Sequence, residues 1–332
     1  MIFQHALTRR QTLSILGAAL TASGLPAIGF ADPIKTLSLY GPPAGPSVTL
    51  AQAVASSKFS DIADSATFTA WRNPDELRAG LTSGSIQLSV VPIQAATNLY
   101  NRGFPIRLAN VMTNGLLYII SDAPEIGGIA DLKGRSLAVP FRGDTPEIIL
   151  GQLLNHHGID AENDIEITYA GTPIEAMQLL LAGRVDAALT AEPSTTAGIL
   201  RGRRNQREIR RAISIQDAWG EMTGAAPVLP QAGLAVTQGF VDAYGDAVPT
   251  LLSALQSATD EVLADPKAAA AHASEALGLP IPVLAASVPH CNLVARPATE
   301  ARADIERMLT AMAGDDMRRI GGKLPDDSFY LQ

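Results

Sequence analysis

The stretch NPDELRAGLTSGSIQLSVVP, residues 73–92, has a near-copy in TPIEAMQLLLAGRVDAALTA, residues 172–191. In both, a polar residue able to cap a helix precedes a proline, a glutamate follows two positions later, and a glycine ends the helical stretch. An apolar run typical of a buried strand comes next. Each copy therefore predicts the same unit, a capped helix leading into a strand. The matched positions are Pro74 and Pro173, Glu76 and Glu175, Leu81 and Leu180, Gly84 and Gly183, and Ile86 and Val185.

A second matched pair lies upstream of these copies. SLYGP, residues 38–42, and LAVPF, residues 137–141, each end a predicted strand and enter a Gly/Pro loop. Residues that cap, start and end helices could recur by coincidence. Two matched elements at about the same spacing favour two lobes with the same architecture. Strands alternate with helices in both copies, which predicts an α/β fold with two mostly parallel sheets flanked by helices. The predicted strands are 36–41, 66–71 and 86–92 in the first copy and 136–141, 164–170 and 185–190 in the second.

Two long extended runs link the copies, at residues 106–122 and 230–240. Two strands that cross between two lobes would form a hinge. The remainder, from residue 241, is predicted to be mostly helical and to return to the first lobe.

The N-terminal residues resemble an export signal. Arg9 and Arg10 precede a mildly apolar run, and small residues lie before a cleavage point expected after Ala31. The paired arginines suggest the twin-arginine route, although ordinary secretion stays open. No later stretch is apolar enough to span a bilayer, so the mature protein is expected to be soluble.

Composition limits the classes of function. The net charge of −8 becomes more negative without the signal, which argues against a nucleic-acid partner. Cys291 is the single cysteine, so neither an intramolecular disulfide nor a cysteine-based metal site is possible. No phosphate-binding Gly-Lys-Ser loop, nucleophile elbow or zinc His-Glu-x-x-His motif occurs, so neither a cofactor nor a metal is expected.

The turns after the predicted strands are the candidate binding site. In parallel sheets, ligands bind beyond the carboxyl ends of the strands, where helix N-termini present N–H groups. Two such sheets facing each other would form a cleft lined by these turns. Any one of their residues alone could equally be a helix cap or a solvated loop residue. The candidate ligand-binding residues are Tyr40, Gly41, Pro43, Ser47, Trp71, Arg72, Gln94, Phe141, Arg142, Asp144, Thr145, Thr172 and Glu192.

A family resemblance spans essentially all of residues 32–332. It is carried by DLKGRSLAVPFRGDTPEIILGQLLNHHGID (131–160), EAMQLLLAGRVDAALTAEPSTTAG (175–198) and PIQAATNLYNRG (92–103). These stretches resemble the solute-binding proteins of ABC importers, in the nitrate/sulfonate/taurine and thiamine-precursor (NMT1-like) group. The group has the type 2 periplasmic binding protein fold. Gln87 stands where the second copy has Asp186, so that acid is not shared between the copies.

The resemblance implies a domain arrangement and partners. The first lobe would comprise 32–121 and 228–332, and the second 122–227. The protein would be a periplasmic monomer that captures a solute and delivers it to an ABC permease in the inner membrane. It would bind its ligand by closing both lobes on it.

The charged and aromatic candidates suggest the class of solute. Arg72 and Arg142, one in each copy, favour a carboxylate or sulfonate, whereas Glu192 favours an amine or a ring N–H. Trp71, Tyr40 and Phe141 could enclose a planar ring. Together these residues predict a small anionic or zwitterionic organic solute, including pyrimidine-like compounds.

Two alternatives remain beside transport, and one charged segment has two interpretations. A periplasmic sensor partner would use the same kind of cleft. A pyrimidine-synthase-like enzyme shares the fold, but its family is associated with a cysteine-rich motif that Cys291 alone cannot supply. The six arginines of RGRRNQREIRR, residues 201–211, are either a solvated helix face or a surface that docks on the permease.

Overall fold

The computed structural model describes residues 34–331. Predicted signal residues 1–31 therefore lie outside the described part of the chain. Twelve strands and twelve α-helices are present within it. The strands are β1 (Ile34–Gly41), β2 (Ala63–Ala70), β3 (Leu88–Pro92), β4 (Ile106–Leu108), β5 (Asn110–Thr113), β6 (Leu117–Ser121), β7 (Ser136–Pro140), β8 (Glu166–Ala170), β9 (Ala187–Ala191), β10 (Arg210–Ser214), β11 (Ala232–Thr237) and β12 (Leu293–Pro297). The helices are α1 (Gly45–Ala55), α2 (Pro74–Ser83), α3 (Ile93–Asn101), α4 (Thr145–His156), α5 (Pro173–Leu181), α6 (Ser194–Arg204), α7 (Ile215–Thr223), α8 (Gln238–Tyr244), α9 (Val248–Ala264), α10 (Pro266–Leu277), α11 (Ile281–Ser287) and α12 (Ala298–Ala313).

The strands form two sheets whose central strands repeat the same order. In the first sheet β1 pairs with β2 and β3, all parallel, and β11 runs antiparallel beside β3. In the second sheet β7 pairs with β8 and β9, again parallel, and β6 runs antiparallel beside β9. The two orders, β11-β3-β1-β2 and β6-β9-β7-β8, therefore correspond strand by strand. The predicted α/β class and the internal duplication are confirmed at the level of topology.

Two short connections carry the chain between the sheets. The first joins β5 to β6, and the second joins α7 to β11. They contact each other, since the Leu229 N–H donates to the Asn114 carbonyl at 3.1 Å. Ala232 also pairs with Thr113 at this point. The extended run predicted at residues 106–122 is thus divided between the two sheets, with β4 and β5 in the first and β6 in the second. At the point where the chain crosses, β5 and β11 are paired.

The core extends through both halves of the molecule. Contacts join residues 34–331 into one compact unit. One buried cluster contains Leu77 and Ile93 beside the first sheet together with Leu137 and Leu153 of the second. Buried apolar contacts therefore continue from one half of the molecule into the other. The lobe boundaries given above stay a prediction.

Two strands differ from expectation. β10 lies in the arginine-rich run, whose charge hides its strand character, and β12 interrupts the region predicted to be helical. Both are edge strands, which tolerate charged and irregular sequence because one side is unpaired. Over residues 34–331, every helix is too short or too polar to cross a bilayer.

Candidate functional site

The first predicted turn is held by close backbone approach. Ser47, at the start of α1, is fully buried, and its hydroxyl donates to the Pro42 carbonyl at 2.5 Å. Gly41 is required here, because an added Cβ would lie 2.4 Å from the Ser47 Oγ. Trp71 joins this turn through its backbone N–H, which donates to the Gly41 carbonyl at 3.0 Å. Its indole N–H donates to the Ser89 hydroxyl at 3.1 Å, so the ring is fixed in the interior. Tyr40 and Pro43 are half-buried beside them.

Gln94 and Thr145 meet across the boundary between the two sheets. Gln94 is the second residue of α3, which follows β3 of the first sheet, and Thr145 is the first residue of α4, which follows β7 of the second. The Thr145 hydroxyl donates to Gln94 Oε1 at 3.2 Å, and both side chains are buried. Gln94 Nε2 in turn donates to the Arg319 carbonyl of the C-terminal segment. Residues predicted from opposite copies are thus in direct contact.

Glu192 forms a buried ion pair that the sequence did not predict. Its carboxylate is fully buried just after β9. Arg211 of β10 donates to Oε1 through both Nε, at 2.9 Å, and Nη2, and the Thr196 N–H donates to Oε2 at 3.1 Å. Burial raises the pKa of Glu192, and the Arg211 guanidinium opposes that rise. The charge of Glu192 is therefore matched within the fold.

Tyr118 connects this ion pair to the first sheet. The Arg211 guanidinium lies over its ring, 5.4 Å from the centroid. The phenol donates to the His290 carbonyl at 3.0 Å, although His290 precedes β12 of the other sheet. Burial, together with the Glu192 charge, raises the pKa of Tyr118 to about 12. Burial first, and then the Arg211 charge, lower the pKa of His290, so that its imidazole is neutral at pH 7.

Two of the predicted arginines lie at the surface. The Arg72 side chain is 88% exposed and lies 3.8 Å from Glu76 on the same helix turn. Arg142 is also exposed, and its guanidinium lies 4.7 Å from the centre of the Tyr169 ring. Their role in binding an anion stays a prediction. Arg211, by contrast, is held beside the Tyr118 ring and the buried Glu192.

The remaining candidates serve the ends of helices. Asp144 and Thr172 are the N-caps of α4 and α5, and each side chain accepts a backbone N–H. Phe141 has φ of 57°, in the left-handed region that an aromatic residue rarely adopts, and it is half-buried. Such strain is concentrated at functional sites, which favours this turn as part of one.

The arginine-rich run separates into structural and exposed residues. Arg207 binds Asp122 through two hydrogen bonds, and Arg210 donates to three carbonyls of the loop after β6. Arg211 binds Glu192. Arg201, Arg203 and Arg204, at the end of α6, are exposed. These three are the candidates for the predicted docking surface.

Local sequence patterns did not single out Arg211, Tyr118, Gln216 or His290 as ligand-binding residues. Arg211 stood in a charged run, and Tyr118 in an apolar run. Only the pairing of β10 with β6 and β6 with β9 brings them to Glu192. The described residues contain no cluster of three His, Cys, Asp or Glu side chains suited to a metal ion.

A family model described as the NMT1-like family matches residues 74–278, more than half of the chain. The match includes residues 74–92 of the first repeated stretch, all of the second (172–191) and the arginine-rich run. No curated protein matches the sequence.

Solved structures share the whole arrangement. An ABC transporter from Parabacteroides distasonis superimposes with a TM-score of 0.72 at 22% identity, covering 91% of this chain and 99% of that one. The periplasmic aliphatic sulphonate binding protein SsuA from Escherichia coli gives 0.69 at 19% identity, covering 87% and 95%. The periplasmic nitrate-binding protein NrtA from Synechocystis gives 0.59 at 15% identity, covering 76% and 69%. At these identities the likeness establishes the fold, which is that of two-lobed periplasmic binding proteins.

Proposed function

Because the chain belongs to the NMT1-like family, we propose that it is the solute-binding component of an ABC importer. The observation that carries this proposal is the contact between Gln94 and Thr145, which joins the strand-to-helix turns of the two sheets. A ligand that touches both sides of such an interface favours the closed arrangement, because only there can it make all of its contacts. Capture by closure requires this arrangement of turns.

The solute that we propose is a small anionic or zwitterionic organic molecule, such as a sulfonate, a carboxylate or a pyrimidine-like compound. Similar folds occur in proteins named for binding sulphonate and nitrate, which supports an anion. The ligand-binding residues proposed above remain the candidates, with Arg211 added. Since Glu192 is fully buried and bonded to Arg211, a solute amine would have to be recognised by another group.

Binding without catalysis is the second part of the proposal. Cys291 has no exposed surface, and burial raises the pKa of its thiol, so that the nucleophilic thiolate is not available at neutral pH. We propose that the protein works in the periplasm as a monomer, with the permease as its partner. The exposed arginines of α6 are the candidate docking surface.

The test is to identify what the protein binds. Native mass spectrometry of the purified protein should show a small organic solute bound with one-to-one stoichiometry. Titration calorimetry with sulfonates, carboxylates and pyrimidines should then give a dissociation constant in the micromolar range for at least one class, which corresponds to about −8 kcal/mol. Binding restricted to neutral sugars or to metal ions would contradict the proposal.

A further inference from the structure

Gln216 carries a buried acceptor without a partner. It is the second residue of α7, directly after β10, and its side chain is 4% exposed. Nevertheless, Oε1 accepts no hydrogen bond from the described residues. Almost all buried polar atoms are paired in folded proteins, and each exception calls for an explanation, such as a ligand. A Cβ added at Gly115 would lie 2.8 Å from the Gln216 Cβ and 3.1 Å from its Oε1. The Gly115 backbone therefore packs closely against this side chain.

Arg211 has a hydrogen-bond donor without a partner among the described residues, beside the Tyr118 ring. Its Nε and Nη2 are bonded to Glu192 and Thr196, whereas Nη1 has no hydrogen bond to residues 34–331. The side chain keeps 21% of its surface exposed. The Tyr118 ring supports the guanidinium on one face. Gln216 lies near enough to the Tyr118 hydroxyl to influence its pKa, although burial and the charges of Glu192 and Arg211 have larger effects.

His290 brings the first sheet to this cluster. Its ring lies edge-on to Tyr118, with centroids 6.4 Å apart, and it is half-buried. A molecule that contacts Arg211 and Gln216 on one side and His290 on the other would therefore bridge the two sheets. Such contacts are the ones that stabilise a closed form.

We propose that Arg211, Gln216 and His290 bind the polar end of the solute, an acidic group with a hydroxyl or amino donor beside it. Arg211 Nη1 donates to the carboxylate or sulfonate, and the neighbouring donor satisfies Gln216 Oε1. This inference rests on the proposed function and narrows its solute class. A site built to hydrogen-bond one group rejects the analogue that lacks it, because the protein atom is then left unpaired.

The deciding experiment compares matched acids by calorimetry. The pairs are 2-hydroxyethanesulfonate against ethanesulfonate, and lactate against propionate. The wild-type protein should bind the hydroxylated member at least about tenfold more tightly. Gln216→Met should remove that preference, because it removes the acceptor and keeps a side chain of similar volume. Arg211→Gln should weaken both members, but it also leaves Glu192 unpaired and can impair folding, so Gln216→Met decides.

The control is Gln256→Met, since Gln256 is an exposed residue of α9 and should leave the preference intact. A purely structural role for Gln216 would change the melting temperature of Gln216→Met and leave the affinity ratio unchanged, which overturns the inference. Equal binding of both members by the wild type overturns it too. If another organic solute binds and neither pair does, the inference fails and the proposed function stands. If no solute binds at all, both fail.

Discussion

Asp122 and Arg207 form an ion pair that ties the end of β6 to the segment before β10. The Arg207 Nε donates to Oδ2 at 2.7 Å and Nη2 donates to Oδ1 at 2.8 Å. Nη1 donates to the carbonyls of Leu180 and Leu181, so the guanidinium also holds the end of α5. The hydrogen bonds from Arg207 lower the pKa of Asp122, although partial burial opposes them.

Replacing the Asp122 carboxylate should show how the stabilisation by this ion pair depends on pH. Asp122→Asn is expected to lower the free energy of unfolding at pH 7 by about 1–2 kcal/mol. Because the folded-state pKa of Asp122 lies below its unfolded value, the stabilisation is present above that unfolded value and is lost as the pH falls through the folded pKa. Urea unfolding from pH 7 to pH 3 should therefore show the wild type and the variant converging in acid. Asp75→Asn is the control, since its side chain is 90% exposed and only 3.5 Å from Arg78. A difference that stays constant down to pH 3 would refute the assignment.

Single residues at the site were only partly predictable. Gly41, Ser47, Trp71, Gln94 and Thr145 follow from their places at strand ends, because a parallel sheet collects its turns at one edge. Arg211 and Gln216 do not, because their roles depend on an edge strand that the charge pattern concealed. An unpaired acceptor is likewise a property of the folded surroundings and not of the residue type.

At the level of elements, the duplicated helices are capped in the same way. In α2, the Glu76 N–H donates to Asn73 Oδ1 at 3.0 Å and the Arg72 N–H donates to the Glu76 carboxylate at 2.8 Å. In α5 the Glu175 N–H donates to Thr172 Oγ1 at 3.1 Å, and the Gly171 N–H donates to the Glu175 carboxylate at 2.8 Å. The glutamate reaches one residue further back than in the usual capping box, and it does so in both copies. The sequence predicted these helices well, because caps and prolines act locally.

The N-caps Asn73 and Thr172 should contribute equally to the free energy of unfolding. Asn73→Ala and Thr172→Ala are each expected to lower the free energy of unfolding by about 1 kcal/mol, since each leaves an N–H without its side-chain acceptor. Their effects should add in the double variant, because the two helices lie behind different sheets. Chemical denaturation measures all three. Thr82→Ala provides the comparison, since Thr82 is an exposed residue at the far end of α2. A negligible loss at either cap would disprove the equivalence of the copies.

At the scale of the whole molecule, three side-chain hydrogen bonds join the two halves. The Gln152 amide of α4 donates to the Met312 carbonyl of α12 at 3.3 Å, and Thr145 donates to Gln94. Tyr118 adds a third link, to His290. The duplication in sequence predicted two sheets of like order, but not how tightly they meet. That depends on side chains far apart in the chain, whose contacts local patterns do not encode.

Thr145→Val tests whether these links favour the closed form. The change keeps the side-chain shape and removes the hydroxyl, so Gln94 Oε1 loses its donor only when the sheets are closed. We expect the closed form to lose about 1 kcal/mol, which corresponds to roughly fivefold weaker solute binding when closure and binding are coupled. Small-angle scattering without solute should show a larger radius of gyration for the variant than for the wild type. Thr97→Val is the matched control, because the Thr97 hydroxyl donates within α3 to Ile93 at 2.9 Å and crosses no boundary. It should alter stability without changing the radius. If Thr145→Val matches the wild type in both radius and affinity, the hydrogen bond between the two sheets has no part in closure.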